Sequence, residues 1–217
     1  MLDLTAAAAV IFDMDGTLTD NMRLHDQAFL VFIERHSLSI PTHEVATQLA
    51  GRRNREILPV LFGRALADDE AAAYSEEKEL IYQGLAGGLR PVAGLHEFLG
   101  WLDSRGVPCG LATSAPRMNV APLLALLGLT GRFRAITLGD EVPHGKPAPD
   151  IFLETARRLG GSPGGCIVFE DAFAGIAGAT AAGMRCVALT TTHTEAELRA
   201  HVSPDLVIAD YTELVTR

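Results

Sequence analysis

Apolar residues follow two different rhythms along this chain. Six short runs are apolar almost throughout: AAAAVIF (6–12), VPCGLATS (107–114), FRAITLG (133–139), CIVFED (166–171), RCVALT (185–190) and DLVIAD (205–210). From about residue 91 onward, helical stretches lie between them. Leu95, Phe98, Leu99 and Leu102 have the i, i+3, i+4, i+7 spacing of a core-facing stripe, and Ile151, Phe152, Thr155, Ala156 and Leu159 make another. Strands that are apolar on both faces and alternate with helices predict a parallel sheet covered on both sides. Residues 20–88 differ. MRLHDQAFLVFIERHSL, THEVATQLAGRRNREILPVLFG and DDEAAAYSEEKELIYQGL all read as helix, and none reads as a buried strand. GLAGGLRPVAG (84–94), rich in Gly and Pro, reads as a hinge. The pattern therefore predicts an α/β sheet unit interrupted by a helical insert after its first strand.

Composition narrows the function classes. The chain has 217 residues, 48% hydrophobic and 21% charged, with a net charge of −9. That acidity argues against a broad nucleic-acid or anionic-membrane surface, which needs concentrated positive charge. A small anionic substrate is still compatible, because only the local charge of a pocket matters. Three cysteines, Cys109, Cys166 and Cys186, form no close pair and no CxxC, and so read as buried thiols. The opening MLDLTAAAAVIF lacks a basic stretch, and no uncharged apolar run approaches spanning length. The expectation is a soluble, cytoplasmic monomer.

Ligands of open parallel sheets sit beyond the carboxyl ends of the strands. Four such ends carry polar groups here: Asp13 and Asp15 after the first run, Thr113 and Ser114 in LATS, Glu170 and Asp171 in FED, and Lys146 in the HGKPAPD loop. Any one of them could cap a helix. Together they would bring four carboxylates, two hydroxyls and one ammonium to one place. Such a set either raises some pKa values or binds a cation, and all-oxygen donors suit a hard ion such as Mg2+. Residues i and i+2 of an extended segment point to the same side, so Asp13 and Asp15 can face one pocket and divide two tasks. One carboxylate can attack phosphorus while the other handles the leaving-group proton. Gly16 permits a tight turn just after the pair.

These residues carry a resemblance to the haloacid dehalogenase (HAD) superfamily, and within it to the β-phosphoglucomutase-like phosphatases. FDMDGTLTD resembles the family's first motif, ATSAP its second, GKPAPDIF its third and FEDAFAGIAGATAAGM its fourth, in matching order over nearly the whole chain. The resemblance implies a Rossmann-like parallel sheet core, residues 1–19 and 90–217, with a helical cap domain, residues 20–89, inserted after the first strand. It implies that Asp13 forms an aspartyl-phosphate and that Asp15 is the general acid/base. Thr113, Ser114, Ala115 and Lys146 would hold the phosphoryl group. Asp13, the Asp15 backbone carbonyl and Asp171 would ligate Mg2+, with Glu170 supporting that site directly or through water. Dehalogenases and phosphonate-cleaving relatives usually lack the second aspartate, so Asp15 favours phosphate chemistry.

In the implied cap, GRRNREIL (51–58) places Arg52, Arg53 and Arg55 within a few residues of Gly51 and Asn54. Such a charge run reads either as a solvated face or as a substrate contact. The mutases resembling this chain carry a Lys-Gly pair, then an Arg that grips a second phosphate; Ala50, Gly51 and Asn54 stand there instead. His25 matches a histidine near the family's cap hinge, and Asn21 lies on the same hinge. Asn119 resembles a mutase pocket asparagine displaced by one position, and Trp101 reads as packing. With the second grip missing, the expected activity is Mg-dependent hydrolysis of small phosphomonoesters, sugar phosphates foremost. A β-phosphoglucomutase-type mutase is the alternative. A non-enzymatic receiver-like domain shares the sheet and a phosphorylatable Asp but has no use for Asp15.

Overall fold

The computed structural model describes residue 4, residues 6–38 and residues 51–215. Ala50 and the expected start of the second insert helix, residues 42–50, lie outside them. β1 (Ala9–Phe12) is followed by α1 (Met22–Arg35), α2 (Asn54–Phe62), α3 (Asp68–Leu85) and α4 (Leu95–Ser104). Then come β2 (Cys109–Thr113), α5 (Arg117–Leu126), β3 (Ala135–Leu138), α6 (Asp150–Leu159), β4 (Cys166–Glu170), α7 (Phe173–Ala181), β5 (Arg185–Leu189), α8 (Glu195–His201), β6 (Leu206–Ile208) and α9 (Thr212–Val215). The strands form one six-stranded sheet in the order β3-β2-β1-β4-β5-β6, every pair parallel.

Alternation along each strand explains the two faces. Val10 and Phe12 join Leu111, Ile167 and Phe169 beneath α4 and α5, whereas Ala9 and Ile11 join Val168, Cys186 and Ala188 beneath α6 and α7. The expected stripes fall where predicted: Leu95, Phe98, Leu99 and Leu102 are buried on α4, and Ile151, Phe152, Thr155 and Ala156 on α6. Phe12 stacks on Phe169 with ring centroids 5.1 Å apart. The three cysteines are buried and free. Trp101 stacks on Phe98 within the core layer, as packing requires. Among the described residues, no helix is long and apolar enough to cross a membrane.

The helices between β1 and α4 have a separate apolar centre made by Phe29, Phe32, Ile33, Ile57, Leu58 and Leu61. Two connecting segments join this cap to the sheet unit and are bonded to each other. Thr19 Oγ1 donates to the Arg90 carbonyl at 2.6 Å, and the Val92 amide donates to the Leu18 carbonyl at 2.9 Å.

Candidate active site

Strand order reverses at β1, between β2 on one side and β4 on the other, and the crevice at such a reversal is where open sheets bind ligands. Asp13 follows β1 directly; its amide donates to the Phe169 carbonyl at 2.9 Å, which sets it beside Glu170. Lys146 approaches from behind the strand ends. Its ammonium donates to Asp13 Oδ1 at 2.5 Å and Glu170 Oε1 at 2.6 Å, with almost no exposure to water. Glu170 Oε2 accepts the amides of Asp171 and Ala172, both at 2.8 Å, so both of its oxygens are engaged. Thr17 and Thr192 donate to the Asp171 carboxylate. Gly16 turns the chain at φ +79°, and a Cβ there would collide with the Asp171 carboxylate. A Cβ on Gly175 would collide likewise with the Glu170 side chain.

Two buried carboxylates, Asp13 and Glu170, thus pair with one ammonium, and a third, Asp171, lies close enough to feel its charge. Burial, opposed by Lys146 and reinforced by Glu170 and Asp15, pushes the Asp13 carboxyl up to about 7. Burial, with the charges of Glu170 and Asp13, pushes Asp171 well above the usual carboxylate range. Burial disfavours the Lys146 ammonium, but Asp13 and Glu170 outweigh it and hold its pKa above the ordinary lysine value. This excess of negative charge is the electrostatic signature of a cation site. Among the described residues, no three His, Cys, Asp or Glu side chains converge closely enough to hold an ion unaided. The Asp13 and Asp171 carboxylates are hard-oxygen donors, of the chemistry that fits Mg2+.

Asp15 stands apart from that cluster. Asn21 Nδ2 donates to Asp15 Oδ1 at 2.6 Å, and His25 Nε2 faces the same oxygen at 3.4 Å. Burial opposes ionisation of Asp15, but His25, Asn21 and Lys78 overcome it and hold its carboxyl below the ordinary value. Lys78 Nζ lies 2.8 Å from His25 Nδ1. An ammonium can only donate, so His25 Nδ1 accepts and the ring proton sits on Nε2, the nitrogen nearer Asp15.

A cavity of about 70 Å3 lies between cap and sheet, lined by Asp13, Asp15, His25, Gly51, Arg52, Asn54, Lys78, Glu79, Thr113, Ser114, Ala115 and Asp171, among others. The expected residues divide accordingly. Ser114 Oγ donates to the Gly51 carbonyl at 2.7 Å, so the cap backbone occupies its hydroxyl, while the Ala115 amide donates to Thr113 Oγ1 at 3.0 Å. Two of the hinge and cap candidates lie off the cavity. Asn21 does not line the cavity: it is buried behind Asp15, where its Oδ1 accepts the Gly16 amide at 3.0 Å and its Nδ2 meets Tyr82 Oη at 2.6 Å. Arg53 does not face the cavity either. Its guanidinium donates to Glu56, and to the Gly139 and Val142 carbonyls at 3.0 and 3.3 Å, a tie from cap to sheet unit. Gly139 and Gly145 leave room for it. Of the arginine run, Arg52 lines the cavity, and it is exposed.

Several site residues escape sequence reasoning. Lys78 and Glu79 on α3 form the cavity roof, each 1% exposed. Their signal, charge in a helix rich in Glu and Lys, is that of a solvated face. Asn119 on α5, which the resemblance had singled out, braces Glu79: its Nδ2 donates to Glu79 Oε2 at 2.6 Å, and its Oδ1 accepts from Gln83 at 2.8 Å.

Most of the chain is also similar to known proteins. The family model for haloacid dehalogenase-like hydrolases matches residues 7–183. The chain is 35% identical over 181 residues to the fructose-1-phosphate phosphatase YqaB of Escherichia coli, covering 83% of this chain and 95% of that protein. It is 33% identical to a phosphorylated carbohydrates phosphatase of Thermotoga maritima, covering 81% and 82%. A β-phosphoglucomutase from Clostridium difficile superposes with a TM-score of 0.83 at 27% identity, covering 96% and 93%.

Proposed function

Because the chain belongs to the haloacid dehalogenase-like hydrolases, we propose that it is a phosphatase moving the phosphoryl group of a small sugar-type phosphomonoester to Asp13 and then to water. The observation that carries this reading is the division between the two aspartates. Asp13 lies against Lys146 at the switch point, and Asp15 lies apart against Asn21 and His25. An Asp13 oxygen attacks phosphorus and the P–O bond to the sugar breaks. Asp15 gives its proton to the departing oxygen. Water then attacks the phosphorus of the aspartyl-phosphate and loses a proton to Asp15. The Asp13–phosphorus bond breaks and inorganic phosphate leaves. Asp15 rests ionised, which suits the second step. A dianionic phosphoryl group beside it raises its pKa, which loads the proton needed for the first.

Asp13, Asp171, the Asp15 carbonyl and, through water, Glu170 are the residues to hold Mg2+. The bound ion would supply charge neutralisation at the phosphoryl oxygens. Lys146 adds one fixed positive charge at Asp13. Ser114 and the amides following β2 are the other phosphoryl contacts, freed when the Gly51 segment lifts. The cavity lies between cap and sheet, and the bonded segments around Thr19 and Pro91 are where the cap would pivot to admit a substrate.

Likeness to a β-phosphoglucomutase supports a mutase as the second reading. A mutase must grip a bisphosphate at both ends. Asn54, where the second grip would lie, is bonded to Ser75 and Glu79 instead, which supports hydrolysis. Purified protein incubated with Mg2+ and a panel of phosphomonoesters, β-glucose 1-phosphate included, tests both. Net phosphate release supports the phosphatase. Conversion of β-glucose 1-phosphate to the 6-phosphate, dependent on a bisphosphate primer, supports the mutase. The absence of both activities would overturn the reading.

A further inference from the structure

Lys78 and Glu79 are adjacent in sequence, both buried and both on the wall of the substrate cavity. Glu79 Oε1 accepts from Lys78 Nζ at 2.9 Å and from Asn54 Nδ2 at 2.6 Å, and Oε2 accepts from Asn119 Nδ2 at 2.6 Å. A carboxylate offers about four acceptor sites, so about one is left for a hydroxyl. Burial works against its charge, but Lys78, His25 and Asn54 hold its carboxyl below the ordinary value, so it stays ionised at neutral pH. Lys78 also lies 4.6 Å over the Phe29 ring. A buried ion pair adds little stability over apolar replacements, so the fold does not need this one.

We propose that Glu79 is a specificity-determining residue that cancels the Lys78 ammonium, so that the roof takes the uncharged, hydroxyl-bearing end of a sugar monophosphate and rejects a second phosphate or carboxylate there. The inference rests on the phosphatase reading and names its substrate class. A lone buried ammonium would attract a distal anion. The pair presents no net charge, and the free acceptor site of Glu79 repels anions while accepting from a hydroxyl. The other cation on the wall, Arg52, is exposed, so its charge is screened by solvent. Asp26 on the same wall adds a further carboxyl.

The test measures kcat/KM for fructose 1-phosphate and fructose 1,6-bisphosphate on the same preparation, because a ratio cancels damage common to both substrates. Whichever phosphate of the bisphosphate reacts, the other meets the roof. Wild type is expected to favour the monophosphate. Glu79→Gln is expected to move the ratio toward the bisphosphate by about tenfold or more. Lys78→Met, which leaves the carboxylate unpaired, is expected to move it the other way, and it decides the matter if the Gln variant does not fold. A wild-type preference for the bisphosphate, or ratios unchanged or moved in the same direction by both variants, overturns the inference. Wild type inactive on both substrates and on the wider panel overturns the phosphatase reading instead.

Discussion

The floor and the roof of the cavity are both built from buried charge, but their balances differ. At the floor, Asp13 and Asp171 line the cavity while Lys146, just beneath, pairs with Asp13 and Glu170, and the carboxyls of Asp13 and Asp171 are pushed upward. In the roof, Glu79 and Lys78 match one for one, and the carboxyl is pulled downward. An unbalanced set calls for a partner, here a cation and a phosphoryl group. A balanced set calls for none and shapes what else fits. The floor is proposed to do the chemistry and the roof to choose the molecule.

Breaking the floor should cost most. Asp13→Asn removes the nucleophile and is expected to lower kcat/KM by about 10^4-fold or more in a phosphate-release assay, with the fold intact by circular dichroism. Asp15→Asn comes next, at about 10^2- to 10^4-fold on alkyl phosphates. On p-nitrophenyl phosphate, whose leaving group needs little protonation, the same variant should give a burst of about one equivalent of nitrophenol, then slow turnover. A loss of equal size on both substrates without a burst would remove Asp15 from its acid role.

Breaking the roof should cost less and appear mainly in KM. Asn119→Ala leaves Glu79 Oε2 and the Gln83 amide without their partner, and so loosens the closure of α3 on α5. The expected cost is about 1–2 kcal/mol, seen as a Tm lower by a few degrees, together with a raised KM and a kcat within a few-fold of wild type. The smallest effect concerns acid. Because the Glu79 pKa is lower when folded, its contribution to stability is complete above the unfolded value of about 4.5 and is lost as pH falls through the folded value. Denaturation midpoints measured across that window should fall less steeply in Glu79→Gln than in wild type.

The same contrast explains what could be read along the chain. The floor was legible because carboxylates at the ends of apolar runs have no place in a buried strand, as with Asp13 after AVIF and Glu170 closing CIVFE. The hydrophobic stripes of α4 and α6 located the layers for the same reason. The roof was not legible. Lys78 and Glu79 sit in a helix with many other charges, and only tertiary packing against His25, Asn54 and Asn119 buries them. Arg53 misled in the opposite direction. Its charge suggested a substrate contact, but two glycines of the sheet unit leave space for it, and two backbone carbonyls take its protons. Thr192 contributes a hydroxyl to Asp171 from a loop after β5, which no local pattern marks.

In the proposed reaction the phosphoryl group passes through Asp13 on its way to water. Rapid acid quenching of wild type during turnover with Mg2+ and a reactive phosphomonoester, followed by peptide mass mapping, tests it directly. One phosphoryl group is expected on the peptide containing Asp13, localised to that residue, appearing before free phosphate and decaying as substrate is exhausted. Phosphate release with no phosphorylated Asp13, or with the group on another residue, would contradict it.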